Sequence, residues 1–161
     1  MPLRKGWSKE ERIEMRAMTF TSLAAVLLLG SFTIPSEETF SLNVEVNQLR
    51  NSTGVVQFVL YNEDGSIPDE DYENYYRLLK GEIMNGSAQA TFEHLPPGRY
   101  AVNILHDENR NGKIDKGLIL PKEGIGFSNY RSIGLRNKPN FTKASFELKG
   151  NRAIEVMVIY M

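Results

Sequence analysis

The stretch Ala88-Gln89-Ala90-Thr91-Phe92-Glu93-His94-Leu95-Pro96-Pro97-Gly98-Arg99-Tyr100-Ala101-Val102-Asn103-Ile104 decides the fold. Ala88, Ala90 and Phe92 alternate with Ser87, Gln89 and Thr91. That is the period of a strand with one buried face. Leu95-Pro96-Pro97-Gly98 then turns tightly, because proline presets its own φ and glycine accepts values closed to other residues. Tyr100, Val102 and Ile104 resume the alternation against Ala101 and Asn103. Two such runs around a tight turn predict a hairpin.

The same patterns recur on both sides. Leu42, Val44 and Val46 alternate with Asn43, Glu45 and Asn47, another half-buried strand. Asn51–Gly54 is polar and predicts a turn. Val55–Tyr61 is apolar on both faces and predicts a central strand. Asp64-Gly65 and Pro68 take the chain out of the sheet. Asp69–Leu79 is the one predicted helix. Asp69, Glu70 and Asp71 suit its positive end and Arg77 and Lys80 the other, with Tyr72, Tyr75, Tyr76 and Leu79 on one face. Phe146 and Leu148 predict a short strand, and Gly150-Asn151 turns it back. Ile154, Val156, Val158 and Tyr160 predict a last strand. The expectation is an all-β fold, a small β-sandwich of about seven strands with one short crossover helix. One domain spans residues 40–161.

Size and composition agree. The 161 residues are 41% apolar and 24% charged, a globular mix. The formal net charge of −1 gives no electrostatic argument for nucleic acid. Cysteine is absent, which excludes disulfides, thiolate metal sites and cysteine nucleophiles. The two histidines, His94 and His106, are too few for a three-histidine metal site in one chain.

Residues 1–35 have the character of a targeting segment. Arg4, Lys5, Lys9, Arg12 and Arg16 precede an apolar run from Ala17 to Ile34, and Pro35 ends it. A basic flank, an apolar core and small residues near its end describe a secretory signal peptide, cleaved between Gly30 and Phe40. The alternative is an uncleaved membrane anchor over residues 17–34, since a helix of that run is about 27 Å long. Membrane contact is expected only through this segment. The body from Ser36 holds 14 Lys and Arg against 17 Asp and Glu. The predicted localisation is secreted or periplasmic.

Chemistry concentrates after the hairpin, in Leu105-His106-Asp107-Glu108-Asn109-Arg110-Asn111-Gly112-Lys113-Ile114-Asp115. Asp107, Asn109 and Asn111 fall at positions 1, 3 and 5 of a calcium loop. Gly112 falls at 6, Lys113 at 7 with its carbonyl, and Asp115 at 9. Alternate short side chains on a tightly wound backbone point inward, placing several oxygens around one hard cation. Position 12 is Leu118 rather than Glu, and a strand rather than a helix leads in. Glu123 is therefore the candidate for the missing carboxylate. The competing reading is a polar turn in which the Asn side chains satisfy their own backbone. With one acid fewer than a sensor loop, the expected affinity is roughly micromolar to millimolar.

Other groups carry weaker signals. His106 directly precedes the loop and could act as a base, with Asp107, Asp115 or Glu123 as partner. A histidine bonded to nearby backbone at a strand end explains it as well. Ser128 lacks a G-x-S-x-G setting, and Gly124 and Gly126 lack the strand–helix context of a dinucleotide fingerprint. Phe127, Tyr130 and Phe141 either plug the long run from Asp107 to Pro139 onto the sandwich or present a binding surface. Tyr72–Tyr76 would offer a carbohydrate or peptide face if its rings were exposed. Asn51-Ser52-Thr53, Asn85-Gly86-Ser87 and Asn140-Phe141-Thr142 match the glycosylation acceptor pattern, which would matter in an exported eukaryotic protein and mean little in a bacterial one.

Three runs together, Phe92–Val102, His106–Asp115 and Pro121-Lys122-Glu123-Gly124-Ile125-Gly126-Phe127-Ser128-Asn129, resemble the DUF2141 family of exported bacterial proteins. The similarity covers roughly residues 42–161. The turn Leu95–Val102 also resembles the hairpin of transthyretin-like and collagen-adhesin B-type sandwiches. That resemblance implies an immunoglobulin-like (transthyretin-like) β-sandwich. The family pattern often runs from the position of Leu118–Ile119 into Gly-Ile-Pro, where Leu120-Pro121 stands here, so the loop's course is not carried over. The resemblance brings a fold and a location but no reaction and no catalytic residues. The expected protein is thus an exported binding or envelope structural module with a calcium-stabilised loop. Its expected partner is an envelope protein or polysaccharide. The alternative is an envelope-polymer hydrolase using His106 with Asp107, Asp115 or Glu123.

Overall fold

The alternating runs become strands. The computed structural model describes residues 38–117, 121–134 and 136–161; the targeting segment 1–35 and the Leu118–Leu120 run lie outside the described residues. In chain order the strands are β1 (Phe40–Val46), β2 (Val55–Tyr61), β3 (Arg77–Gly81), β4 (Ala88–Leu95), β5 (Gly98–Asp107), β6 (Gly124–Phe127), β7 (Phe146–Leu148) and β8 (Arg152–Glu155). One short helix, α1 (Phe141–Ala144), precedes β7. All lie in one compact unit, Glu37–Met161.

Two sheets result. A three-stranded sheet has the order β4-β1-β8, with β1 antiparallel to β4 and parallel to β8. A five-stranded sheet has the order β3-β2-β5-β6, with β7 paired to the start of β5. Between them the inward side chains form one core: Leu42, Val44 and Val46 of β1, Val56, Phe58 and Leu60 of β2, and Val102 and Ile104 of β5. This is the small β-sandwich expected from the alternation.

The five-stranded sheet is covered on its other face as well. Val59, Tyr61, Ala101 and Leu105 point away from the sandwich and pack with Ile125, Phe127, Tyr130, Phe141 and Ala144. Every residue of β2 is buried in consequence, as its two apolar faces require. Burying each large apolar side chain contributes about 1.5–3 kcal/mol. Residues 108–117, 128–134 and 136–145, on either side of β6, therefore supply a third layer; Tyr130 and Phe141 are its plugs, and Phe127 of β6 meets them from the sheet.

Three expectations need correction. Asp69–Leu79 is not a helix. The Asp69 carboxylate instead accepts the N–H groups of Glu73 (3.0 Å) and Asn74 (2.9 Å), and Tyr72 sits at φ 54°. Tyr76 N–H then donates to the Leu60 carbonyl at 2.7 Å, and Arg77–Gly81 continues as the edge strand on β2. Filling the open edge of β2 outweighs a modest helical propensity. The presumed tyrosine face is split too. Tyr72 is buried, with its hydroxyl donating to Asn103 Oδ1 at 3.0 Å, whereas Tyr75 and Tyr76 are exposed. The one short helix is α1, not a crossover.

The last strand is also shorter than expected. β8 ends at Glu155, and the chain crosses to the other sheet, where Ile159 exchanges both backbone bonds with Ile125 of β6 (3.1 and 2.8 Å). The glycines of β6 make this possible. A Cβ on Gly126 would lie 2.3 Å from the Met157 carbonyl oxygen, and one on Gly124 would lie 2.4 Å from Tyr160 Cε1. Gly126→Ala is therefore expected to destabilise the protein by about 1–3 kcal/mol in urea unfolding, as overpacking does. Gly150→Ala, which meets nothing within 4 Å, is expected to stay within about 0.5 kcal/mol of the parent.

Candidate functional site

β5 ends at Asp107, and the third layer starts there. Alternation on β5 sends His106 and Asp107 to opposite faces. Asp107 is 0% exposed and is the hub of the turn that follows. Its Oδ1 accepts the N–H of Asn111 at 3.0 Å. Its Oδ2 accepts the Gly112 N–H at 2.9 Å and the Gln57 amide at 3.1 Å. Two further side-chain turns continue the winding. Asn109 Oδ1 takes the Asn111 N–H at 2.9 Å, and Asn111 Oδ1 takes the Lys113 N–H at 2.8 Å. Gly112 adopts φ 78°, the sharp reversal its position demands.

The strand-to-layer turn closes on Asp115 and Glu123. Asn109 and Asn111 donate their side-chain amides to the two Asp115 oxygens at 2.6 and 3.0 Å. Glu123, 3% exposed, accepts the Glu108 N–H on Oε1 at 3.0 Å and the Asp115 N–H on Oε2 at 3.2 Å. Five of the six predicted ligands, Asp107, Asn109, Asn111, Asp115 and Glu123, thus meet in one hydrogen-bonded knot. Lys113 joins it through its N–H. Leu118 lies outside the described residues.

The charge of the knot is unbalanced. Among the described residues no basic side chain forms an ion pair with Asp107, Asp115 or Glu123. Burial pushes the Glu123 carboxyl up from its ordinary range. The two N–H donors from Asp115 and Glu108 oppose that push, and the nearby Asp115 and Asp107 charges add to it. Among the described residues no group of three His, Cys, Asp or Glu side chains is assembled into a ready metal cage. Any cation here would need amide and carbonyl oxygens as well.

His106 faces the sandwich side and does not reach these carboxylates. Its Nε2 lies 2.9 Å from the Thr53 carbonyl and its Nδ1 2.7 Å from the Tyr160 hydroxyl. A carbonyl only accepts, so Nε2 carries the proton and Nδ1 accepts from Tyr160, an assignment made from the partners. Both ring nitrogens are occupied. A general base would need one of them free.

Sequence reasoning missed Arg50. Its guanidinium binds both Glu108 oxygens, through Nε at 3.0 Å and through Nη2, and donates to the Lys122 carbonyl at 3.1 Å. It also lies 4.6 Å from the Tyr160 ring centroid, while its backbone N–H donates to the Tyr160 hydroxyl at 3.2 Å. The Arg50 contact holds the Glu108 carboxyl below its usual range. Arg50 is 58 residues from Glu108 in sequence, so no local pattern announces it.

The family model described as "Uncharacterized protein conserved in bacteria (DUF2141)" matches residues 44–155. No curated protein and no solved structure matches the chain.

The direction at Glu123 sets a pH dependence. A carboxyl raised in the folded state stabilises the fold fully below its unfolded pKa, and that contribution is lost as pH rises through the raised value. In chelator, the stability advantage of the parent over Glu123→Gln is expected to fall with rising pH above about 4.3, the unfolded glutamate value. The slope should be at most about 1.4 kcal/mol per pH unit. Urea titrations of both proteins across pH 4–8 measure it; an advantage that grows with pH would contradict the assignment.

Proposed function

The chain belongs to the DUF2141 family, and from that premise we propose an exported β-sandwich module whose 107–123 loop binds one calcium ion. The ion holds the third layer against the five-stranded sheet. The module serves a binding or structural role in the bacterial envelope, toward an envelope protein or polysaccharide. The observation that carries the reading is the pair of buried carboxylates, Asp107 and Glu123, beside Asp115 with no basic partner among the described residues. Burying carboxylates that no basic side chain pairs directly is costly, and a hard cation among them lowers that cost.

The oxygen inventory supports the same reading. Asp107 Oδ1, Asn109 Oδ1 and Asn111 Oδ1 each accept one N–H, and such an oxygen has two lone pairs. Each retains acceptor capacity for an ion. The chemistry is all oxygen, from carboxylates and amides, which suits calcium over the softer transition metals. Export rests on the N-terminal segment. Among the described residues no helix is long and apolar enough to cross a membrane.

Calorimetric titration of the purified chain with calcium tests the loop. The expected result is one ion per chain with a Kd between roughly micromolar and millimolar. At a hundredfold excess over Kd the ion should stabilise the fold by about 2.7 kcal/mol, visible as a raised Tm that chelator reverses. Asp107→Ala removes the hub and abolishes binding. Asp115→Asn spares the buried N–H acceptors of Asp107 and Glu123, and should fold while binding more weakly. No heat and no Tm shift up to millimolar calcium would overturn the reading, leaving the knot as a self-satisfied polar turn.

A further inference from the structure

We propose that Arg50 is the positioning residue of the calcium loop: its guanidinium fixes Glu123 in place although its charge opposes the ion. This rests on the calcium reading above. Glu123 is the loop carboxylate most distant in sequence from Asp107, and its reach depends on how residues 121–124 are held. Two of its neighbours are tied to Arg50. The Lys122 carbonyl, in the residue next to it, accepts from Arg50 Nη2 at 3.1 Å. Glu108, whose N–H donates to Glu123 Oε1 at 3.0 Å, is forked by the same guanidinium on both carboxylate oxygens. One planar group thus ties the start of the loop to its end, on the two residues that flank the Glu123 carboxylate.

Arg50 is itself held from behind. The Tyr160 ring lies under it at 4.6 Å, its backbone N–H bonds the Tyr160 hydroxyl, and Asn51 donates to the same Glu108 carboxylate. Lysine could supply the charge but not the fork, because a point charge cannot bind two carboxylate oxygens and a carbonyl in fixed directions.

Charge and geometry predict opposite signs. Removing a cation near the site should tighten calcium binding if electrostatics alone governs Arg50. Losing a group that orients a ligand should weaken it, typically 10–100-fold. Calcium titration by calorimetry of the parent, Arg50→Gln, Arg50→Lys and Leu148→Ala decides between them. The expected result is binding weakened about tenfold or more in both Arg50 variants, with the parent's affinity in Leu148→Ala. Leu148→Ala reports what a general loss of stability does, since Leu148 is a buried core residue of β7, which pairs with the start of β5, whereas the loop follows its end. Unchanged or tighter binding in Arg50→Gln overturns the positioning role while leaving the calcium reading intact. So does weakening of the same size in Leu148→Ala. Parent-like affinity in Arg50→Lys would make Arg50 a simple charge and overturn the role as well. A flat titration of the parent itself overturns the calcium reading, and this inference with it.

Discussion

The constraint on which the rest depends is that β2 and β5 are buried on both faces. A two-sheet sandwich needs only one apolar face per sheet. Here Val59, Tyr61, Ala101 and Leu105 point outward from the sandwich, and something must cover them. The cover is a layer with little regular structure: α1 and the turns on either side of β6. An irregular layer cannot satisfy its own backbone by ladders, so it must borrow partners from side chains. The buried polar residues of the molecule are placed where that debt falls due. Asn103 donates to the Gly126 carbonyl at 2.9 Å, and Ser128 donates to the Ala144 carbonyl at 2.7 Å. Asp107 and Glu123 perform the same service at the other end of the layer.

The loop therefore has two physical tasks that pull in different directions. As a fastener it needs acceptors for backbone N–H groups, and carboxylates are the strongest acceptors available. As a buried cluster it suffers from lost hydration and, to a lesser degree, from mutual repulsion, and burial chiefly, with the Asp115 and Asp107 charges adding to it, pushes the Glu123 carboxyl up. Asn109 and Asn111 moderate the conflict. Their oxygens wind the turn while their amide protons meet Asp115, work that aspartates at the same positions could not do. An all-aspartate version would hold itself together less well, since carboxylates at 109 and 111 have no amide protons to offer Asp115.

The elements legible in the sequence were those whose pattern is local. Alternation in Leu42–Val46 and Ala88–Ile104 gave strands because side chains two apart share a face. Val55–Tyr61 gave a central strand because both its faces are apolar. Asp69–Leu79 misled because charge and aromatic spacing imitate an amphipathic helix, while the open edge of β2 lies far away in sequence. β6 stayed hidden because Gly124-Ile125-Gly126-Phe127 has no polar face to alternate, its glycines serving instead the approach of Met157 and Tyr160. In the site, Asp107, Asn109 and Asn111 were readable since the turn that uses them is a few residues long. Glu123 was reached by asking which acid could replace the missing one at position 12. Arg50 was not reachable, because a guanidinium's partners are chosen by the fold.

The C-terminal segment shows how these parts become one unit. After β8 the chain leaves the three-stranded sheet and bonds to β6 at Ile125, closing the side of the sandwich with Val156. Tyr160 then lies between His106, on the sandwich side of β5, and Arg50, which holds the loop on the other side. The His106 ring needs the Tyr160 proton because its own is committed to Thr53, and the Tyr160 hydroxyl takes the Arg50 N–H in return. Burial pushes the pKa of that phenol up, and the sense of the relay follows from its partners: Arg50 N–H donates to the hydroxyl, which donates to His106. The histidine is thus spent on structure. What it anchors is the tail that braces Arg50, and through Arg50 the carboxylate on which the loop closes.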